Sequence, residues 1–367
     1  MKIALVLNSS WNLYNFRRGL IDALQQTGHT VTLIAPADDY SQRLRNLDYD
    51  LRTVAMDAGG VSPLRDIFLL FRLYRLYQTI RPGVILHFTV KPNIYGTLAA
   101  RLLRIPTINT VSGLGTIFLQ RGWMSFVARQ LYRGAFRFPR QVFFHNPDDY
   151  QLFVTQKLIP AERGAVVPGS GIDLSQFVRS DYPPKKHLPF TFLLIARLLY
   201  DKGIEEYALA AQKLQKEGLS ATFQLLGARA PTHPRGIPDA VLDRWTTQGI
   251  IAYLGTTDDV RPIIAQADVV VLPSYREGLP RTLLEAAAMQ KPIVTTDTPG
   301  CRQIVQDNYN GLLCRVRDAH DLADKLQQMA RLNEATRQQM GERGQAWVAQ
   351  HFTETQVINQ YVEAINA

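Results

Sequence analysis

Residues 267–296 read ADVVVLPSYREGLPRTLLEAAAMQKPIVTT. Two strand-like runs, the apolar VVVL at 269–272 and the β-branched IVTT at 293–296, enclose a loop and a stretch of helical length. Continuous Val, Ile and Leu runs spaced by helical lengths are the pattern of parallel strands covered on both faces. The alternation extends outward in both directions. KIALVL (2–7), TVTLIA (30–35), GVILHF (83–88), PTINTV (106–111), QVFFH (141–145) and GAVVPG (164–169) form one series, and FTFLLIA (190–196), ATFQLLG (221–227) and IIAYLG (250–255) lead into the opening stretch. The expected class is α/β, built as two Rossmann-like doubly wound domains. Prolines and charges cluster in RSDYPPKKHLP (179–189), which predicts domains at 1–183 and 184–367. The helical segments from Ala319 onward are long for one domain, so the final helix can cross back onto the first. With 367 residues, 46% of them hydrophobic, the chain can fill two cores. Ligands of such sheets sit beyond the carboxyl ends of the strands, and a cleft between the two domains is the expected site.

The opening stretch also carries chemistry. Pro280 is placed to be the first residue of a helix, where its missing N–H costs nothing. Glu277 and Gly278 then lie in the loop at the helix's positive end, where amides and dipole favour an anion and a glycine allows close backbone approach. Glu285, eight positions after Glu277, falls about a turn and a half into the helix, where a carboxylate can accept hydrogen bonds from a diol such as a ribose. The plainer alternative is an acid near a helix start and a solvated surface charge. A second pair of residues bears on that choice. In IARLLYDKGI (195–204), Arg197 and Lys202 flank a loop at another strand end, where two cations can clamp a diphosphate and stabilise the charge of a departing group. Solvated loop charge is again the alternative.

Taken together, these residues resemble the donor-binding half of family 4 glycosyltransferases, retaining enzymes of the GT-B architecture. The resemblance spans nearly all of the second half, from ARLLYDKGIEEYALAAQKL to NYNGLLC, and VVPGSGIDLSQF is similar to the family's turn before the domain linker. It implies that Glu277 holds donor-sugar hydroxyls, Glu285 the ribose diol, and Arg197 and Lys202 the diphosphate. Backbone around Gly278, Leu279 and Pro280 would face sugar and phosphate, with no amide from the proline. Tyr253, Leu254 and Gly255 would read the base. It further implies a UDP-sugar co-substrate, no cofactor, no metal, and a donor phosphate oxygen that takes the acceptor's proton during front-face attack. Asp48-Tyr49-Asp50, the one Asp-x-Asp, has no catalytic company and reads as surface.

The first half departs from the family in two places. A glycine pair common after the first strand is replaced by Ser9, Ser10, Trp11 and Asn12, and a histidine common after a later strand by Ser112 and Gly113. Ser9 and Asn12 are weaker candidates for the donor. ILHFTVKPNIYGTLAARLLRIPTINTVSGLGTIF resembles a subgroup that extends sugars on polyprenyl diphosphate in bacterial surface-glycan or glycoprotein assembly, so His87, Lys91 and Asn93, with Ser112 and Gly113, become acceptor-side candidates. An isolated strand-end histidine is more often structural than catalytic.

Charge agrees with an anionic, lipid-linked acceptor. Through Lys185 there are 22 basic and 12 acidic residues, net +10, against 19 and 20 in the remainder, net −1; residues 67–147 contain no acid at all. In RGWMSFVARQLYRGAFRFPR, Trp123, Met124, Phe126, Val127, Leu131, Phe136 and Phe138 lie among arginines beginning with Arg121, as an interfacial helix would, and DIFLLFRLYRLYQTIRP is comparable. Core-facing helices with a basic outer face are the alternative. No apolar run reaches the roughly 18 residues of a spanning helix, the start lacks a signal peptide's apolar region, and Cys301 and Cys314 have no metal or redox spacing. The expected location is therefore the cytoplasm, peripheral to an anionic inner membrane face.

Rival classes fit less well. No Gly-x-Gly-x-x-Gly follows a strand, which sets aside a nicotinamide dehydrogenase, and no nucleic-acid module occurs. A sugar-nucleotide epimerase of similar fold, or transfer to a soluble acceptor, remains as the alternative.

Overall fold

The computed structural model describes residues 1–57, 62–114, 123–183 and 189–367. It divides into two units, Met1–Ser170 with Glu354–Ala367, and Gly171–Thr353.

The first unit holds a seven-stranded parallel sheet. Its strands are β1 (Lys2–Val6), β2 (Thr30–Ala35), β3 (Asp50–Thr53), β4 (Val84–Phe88), β5 (Thr107–Val111), β6 (Gln141–Phe144) and β7 (Gly164–Val166), in the order β3-β2-β1-β4-β5-β6-β7. β4 and β5 are buried along their whole length, although β4 carries His87 and β5 carries Thr107, Asn109 and Thr110. Strand order reverses between β1 and β4, so the ligand position expected in this unit lies beyond their carboxyl ends. The last helix, Glu354–Asn366, belongs to this unit: Val357, Tyr361 and Ile365 enter its core, and the Tyr361 hydroxyl pairs with Thr110 Oγ1 at 2.6 Å.

The second unit holds β8 (Phe190–Ile195), β9 (Ala221–Leu226), β10 (Ala252–Tyr253), β11 (Val269–Leu272), β12 (Ile293–Thr296) and β13 (Gly311–Cys314), ordered β10-β9-β8-β11-β12-β13 and all parallel. Its switch point lies between β8 and β11. The divide at Ser170/Gly171 comes earlier than the expected 183/184. Residues 171–177 pack with the second core: Ile172 donates its N–H to the Phe352 carbonyl at 2.8 Å, and Ile172 and Phe177 are buried beside Phe352. Pro184 to Leu188 of the expected linker lie outside the described residues.

The helix Pro63–Ile80 begins with Pro63 at its first position and ends at Arg81, left-handed at φ 52° and followed by Pro82. The helix Trp123–Ala135 differs from the interfacial segment expected there. Arg121 and the side chains of Trp123 and Met124 lie outside the described residues. Phe136 is fully buried against Tyr132 and Phe153, Leu131 packs on the same core, and Val127 is half-buried, leaving Phe126 and Phe138 exposed. Of the five whose side chains are described, Leu131 and Phe136 fill the first unit's core. No described helix is long and apolar enough to cross a membrane.

Candidate functional site

In the second unit the expected residues fall at or just beyond the carboxyl ends of β10, β8 and β11, with Glu285 in the helix that follows β11. Beyond β8, Arg197 is exposed at the strand end, and a short turn, Tyr200–Lys202, leads into the helix Ile204–Lys216 through Gly203. Gly203 has φ +70°, and a Cβ there would stand 2.0 Å from the Pro273 carbonyl oxygen. Only a glycine permits that approach. It lets the loops after β8 and β11 join: the Tyr275 N–H donates to the Asp201 carbonyl at 2.9 Å, and Lys202 Nζ donates to Glu277 Oε1 at 2.5 Å.

Ser274 Oγ donates to the same Glu277 oxygen at 2.6 Å. From the other side, the loop after β12 brings Gly300 against the Gly278 carbonyl, where an added Cβ would lie only 2.5 Å away, and Thr296 Oγ1 donates to the Ser274 carbonyl at 2.5 Å. Glu277 is thus oriented by three loops. Its side chain is 12% exposed and that of Lys202 27%, so the pair is supported from below and open above. A fixed carboxylate that accepts from hydroxyls, beside an ammonium that attracts phosphate oxygens, can hold a sugar next to its anionic leaving group. The nearby Cys301 thiol is pushed up to about 11, chiefly by burial and next by the Glu277 carboxylate, which makes it an inert structural thiol.

Pro280 differs by one position from the expectation. Its ψ of 114° makes it the extended residue before the helix Arg281–Ala288, so the loop is longer by one residue and Glu285 is the fifth helical residue. Leu279 packs against the core beneath. Glu285 Oε1 accepts from Arg281 Nε at 3.1 Å, and Arg281 also donates to the Gly171 carbonyl at 2.8 Å. Burial raises the Glu285 carboxyl above its ordinary range, opposed by the Arg281 guanidinium. Arg281 was missed in sequence, although an arginine four residues before a helical glutamate is a recognisable signal.

Tyr253 closes β10 and donates its hydroxyl to the Gly227 carbonyl at 2.9 Å. The Leu254 N–H donates to the Leu225 carbonyl at 2.9 Å, and the Gly255 carbonyl accepts from the Gly227 N–H at 2.8 Å. The sheet therefore removes the Leu254 N–H from the expected readers of a base. Its side chain is exposed beside them.

In the first unit, Ser9 caps the helix Ser10–Phe16 by accepting from the Asn12 N–H at 3.2 Å. The Asp38 carboxylate accepts from the Ser10 and Trp11 amides at 2.7 and 3.1 Å. A carboxylate from within the chain thus meets the first amides, and Ser9 and Asn12 can offer a ligand side-chain hydrogen bonds rather than an anion-binding helix start.

Lys91, Asn93, Ser112 and Gly113 come together with Asn8 and Thr89 around a cavity of about 220 Å³ beyond β1, β4 and β5. Thr89 holds φ 66° there, a strained conformation for a β-branched residue. Asn93 donates to the Thr110 carbonyl at 2.8 Å, while its Oδ1 is buried with no partner among the described residues. Lys91 is not a free cation: Nζ lies 2.9 Å from Asp66 Oδ1, whose other oxygen accepts from the Tyr95 hydroxyl at 3.1 Å.

His87 does not join this group, which corrects its expected acceptor role. It is fully buried within β4, with Nε2 2.9 Å from the Tyr77 hydroxyl and Nδ1 3.2 Å from Asn109 Oδ1. Burial lowers it from 6.5 to about 3, so it stays neutral. His145, also buried, is lowered to about 3 by burial and then by Arg17. A histidine depressed in the folded state contributes stability above its unfolded value and loses it as pH falls from about 6.5 toward 3. Denaturant unfolding should show first-unit stability dropping by up to about 1.4 kcal/mol per pH unit for each histidine across that window. His87→Gln should flatten the slope, and an unchanged slope would place the proton uptake elsewhere.

A family model described as group 1 glycosyl transferases matches residues 189–331, and a glycosyl transferase 4-like model matches residues 2–146. Among curated relatives, the N,N'-diacetylbacillosaminyl-diphospho-undecaprenol alpha-1,3-N-acetylgalactosaminyltransferase of Campylobacter jejuni is 29% identical over 341 residues, covering 89% of this chain and 88% of its own. The UDP-Gal:alpha-D-GlcNAc-diphosphoundecaprenol alpha-1,3-galactosyltransferase of Escherichia coli is 24% identical over 281 residues, covering 73% and 71%. In structure, Anabaena HepE, solved with UDP and glucose, superposes with a TM-score of 0.80 at 18% identity over the full length of both chains. A glycosyltransferase from Rickettsia africae gives 0.80 at 17% identity, covering 99% and 97%. The two family models, which together span most of the chain, occupy the two sheets in turn, and the chain belongs to the family 4 glycosyltransferases of GT-B fold.

Proposed function

We propose that this enzyme transfers a hexose or N-acetylhexosamine from a UDP-sugar to a sugar carried on polyprenyl diphosphate, with retention of configuration and without a metal. The product would be a bacterial surface glycan or glycoprotein precursor, built at the inner face of the cytoplasmic membrane. The observation that carries the reading is the Lys202–Glu277 pair at the β8/β11 switch point, with Arg197 at the same strand end. Two relatives named for diphospho-undecaprenol acceptors, matched over most of their length, support the acceptor class.

In this scheme Arg197 and Lys202 bind the diphosphate and stabilise negative charge as the nucleotide leaves, the task a divalent ion performs elsewhere. Glu277, oriented by Ser274 and Lys202, holds donor-sugar hydroxyls, and Glu285, braced by Arg281, accepts from the ribose. The cavity lined by Lys91, Asn93, Ser112 and Gly113 serves the acceptor.

The test is UDP release from a panel of UDP-sugars, with and without a polyprenyl-diphosphate-linked sugar, in the presence of a chelator. Release from one donor, dependent on the lipid-linked sugar and indifferent to chelator, is expected, with the α-anomer retained in the product. Loss of activity with chelator would overturn metal independence. Turnover confined to soluble acceptors would overturn the lipid pathway.

A further inference from the structure

We infer that the outward face of the helix Pro63–Ile80 docks the protein on an anionic phospholipid surface. The helix buries Asp66, Leu69, Leu73 and Tyr77. On the opposite side, Leu64 is 73% exposed, Ile67 53%, Phe68 61% and Phe71 58%. Spacing of three and four residues sets these four on one stripe. The helix cannot roll to hide them, because Asp66 on its inner side is held by Lys91 and the Tyr95 hydroxyl.

Scattered exposed apolar residues are ordinary, but a contiguous stripe of large ones marks an interaction surface. Its partner is indicated by charge. Arg65, Arg72 and Arg75 are exposed along the same helix, and residues 67–147 contain no acid. Phenylalanine and leucine on one face with arginines beside them suit a helix lying at the headgroup boundary of an anionic bilayer. Two-fold pairing of copies through the stripe would instead set it against itself and bring arginines opposite arginines. Docking is also pre-organised, since the helix is already folded and fixed.

The proposed lipid-linked acceptor explains why the enzyme would dock, but vesicle binding is measured without donor or acceptor, so either reading can fail alone. The full chain is sedimented with sucrose-loaded vesicles of phosphatidylcholine, with or without phosphatidylglycerol. Binding to the phosphatidylglycerol vesicles that weakens with salt is expected. Ile67→Ser with Phe71→Ser should lower the partition coefficient roughly ten-fold or more, while UDP release with a water-soluble short-chain acceptor stays at the wild-type level. Wild type remaining in the supernatant at low salt, or the double variant binding as wild type does, overturns the proposal. So does a wild-type dimer that the double variant converts to monomer without any vesicle binding.

Discussion

Lys202→Ala is expected to lower kcat for UDP release by about 10²–10³-fold, the range seen when one pre-organised hydrogen-bond donor to a transition state is removed. The ammonium meets Glu277 Oε1 at 2.5 Å at the β8/β11 switch point, so it is already oriented before any ligand arrives. In the proposed reaction, charge on the departing diphosphate grows as the donor bond breaks, and the loss should therefore fall on kcat more than on KM. Removing the lysine also leaves Glu277, with 12% of its side chain exposed, supported chiefly by Ser274. Water reaches the partly open pair, so the accompanying loss of stability should be modest, about 1–2 kcal/mol. Measuring denaturant unfolding beside kcat separates the two effects. Lys202→Arg should recover only part of the rate, because a planar guanidinium cannot occupy an ammonium's position. Near-normal turnover of Lys202→Ala would remove the residue from the diphosphate site.

Gly203→Ala should be the most damaging small substitution near the site. The added Cβ would meet the Pro273 carbonyl at 2.0 Å, and the residue keeps φ +70°. Left-handed strain and backbone crowding together predict a loss of about 3 kcal/mol in the second unit's stability. Activity should fall as well, because relief of the clash separates the two loops that bring Lys202 to Glu277. Gly218→Ala supplies the control: its φ is +84° but nothing lies within 4 Å of an added Cβ. That variant should cost only about 1 kcal/mol and spare turnover. Equal losses from both would show that the close approach contributes nothing.

Much of this molecule was legible in the chain itself, for a physical reason. Parallel strands covered on both faces are mostly apolar, so β1, β4, β8 and β11 announced themselves, and the residues following β8 and β11 marked the candidate loops. The strands that went unread are edge strands: β3 is a four-residue run, Asp-Leu-Arg-Thr, with one buried side chain, and β13 closes the other sheet. Periodicity misled at Phe136 and Leu131, since a basic amphipathic helix reads alike whether its apolar face meets lipid or core.

Local pattern alone was enough to determine the α/β class and the basic first half, and to single out Arg197, Lys202, Glu277 and Glu285 as candidates. Tertiary structure decided their partners: that Lys202 meets Glu277 across 75 residues, that Arg281 braces Glu285, that Lys91 is tied to Asp66, and that His87 is a neutral core group. Hydrophobic period and helix-start chemistry are properties of neighbouring residues, whereas ion pairing and desolvation depend on which distant loops the sheet order brings to the same edge.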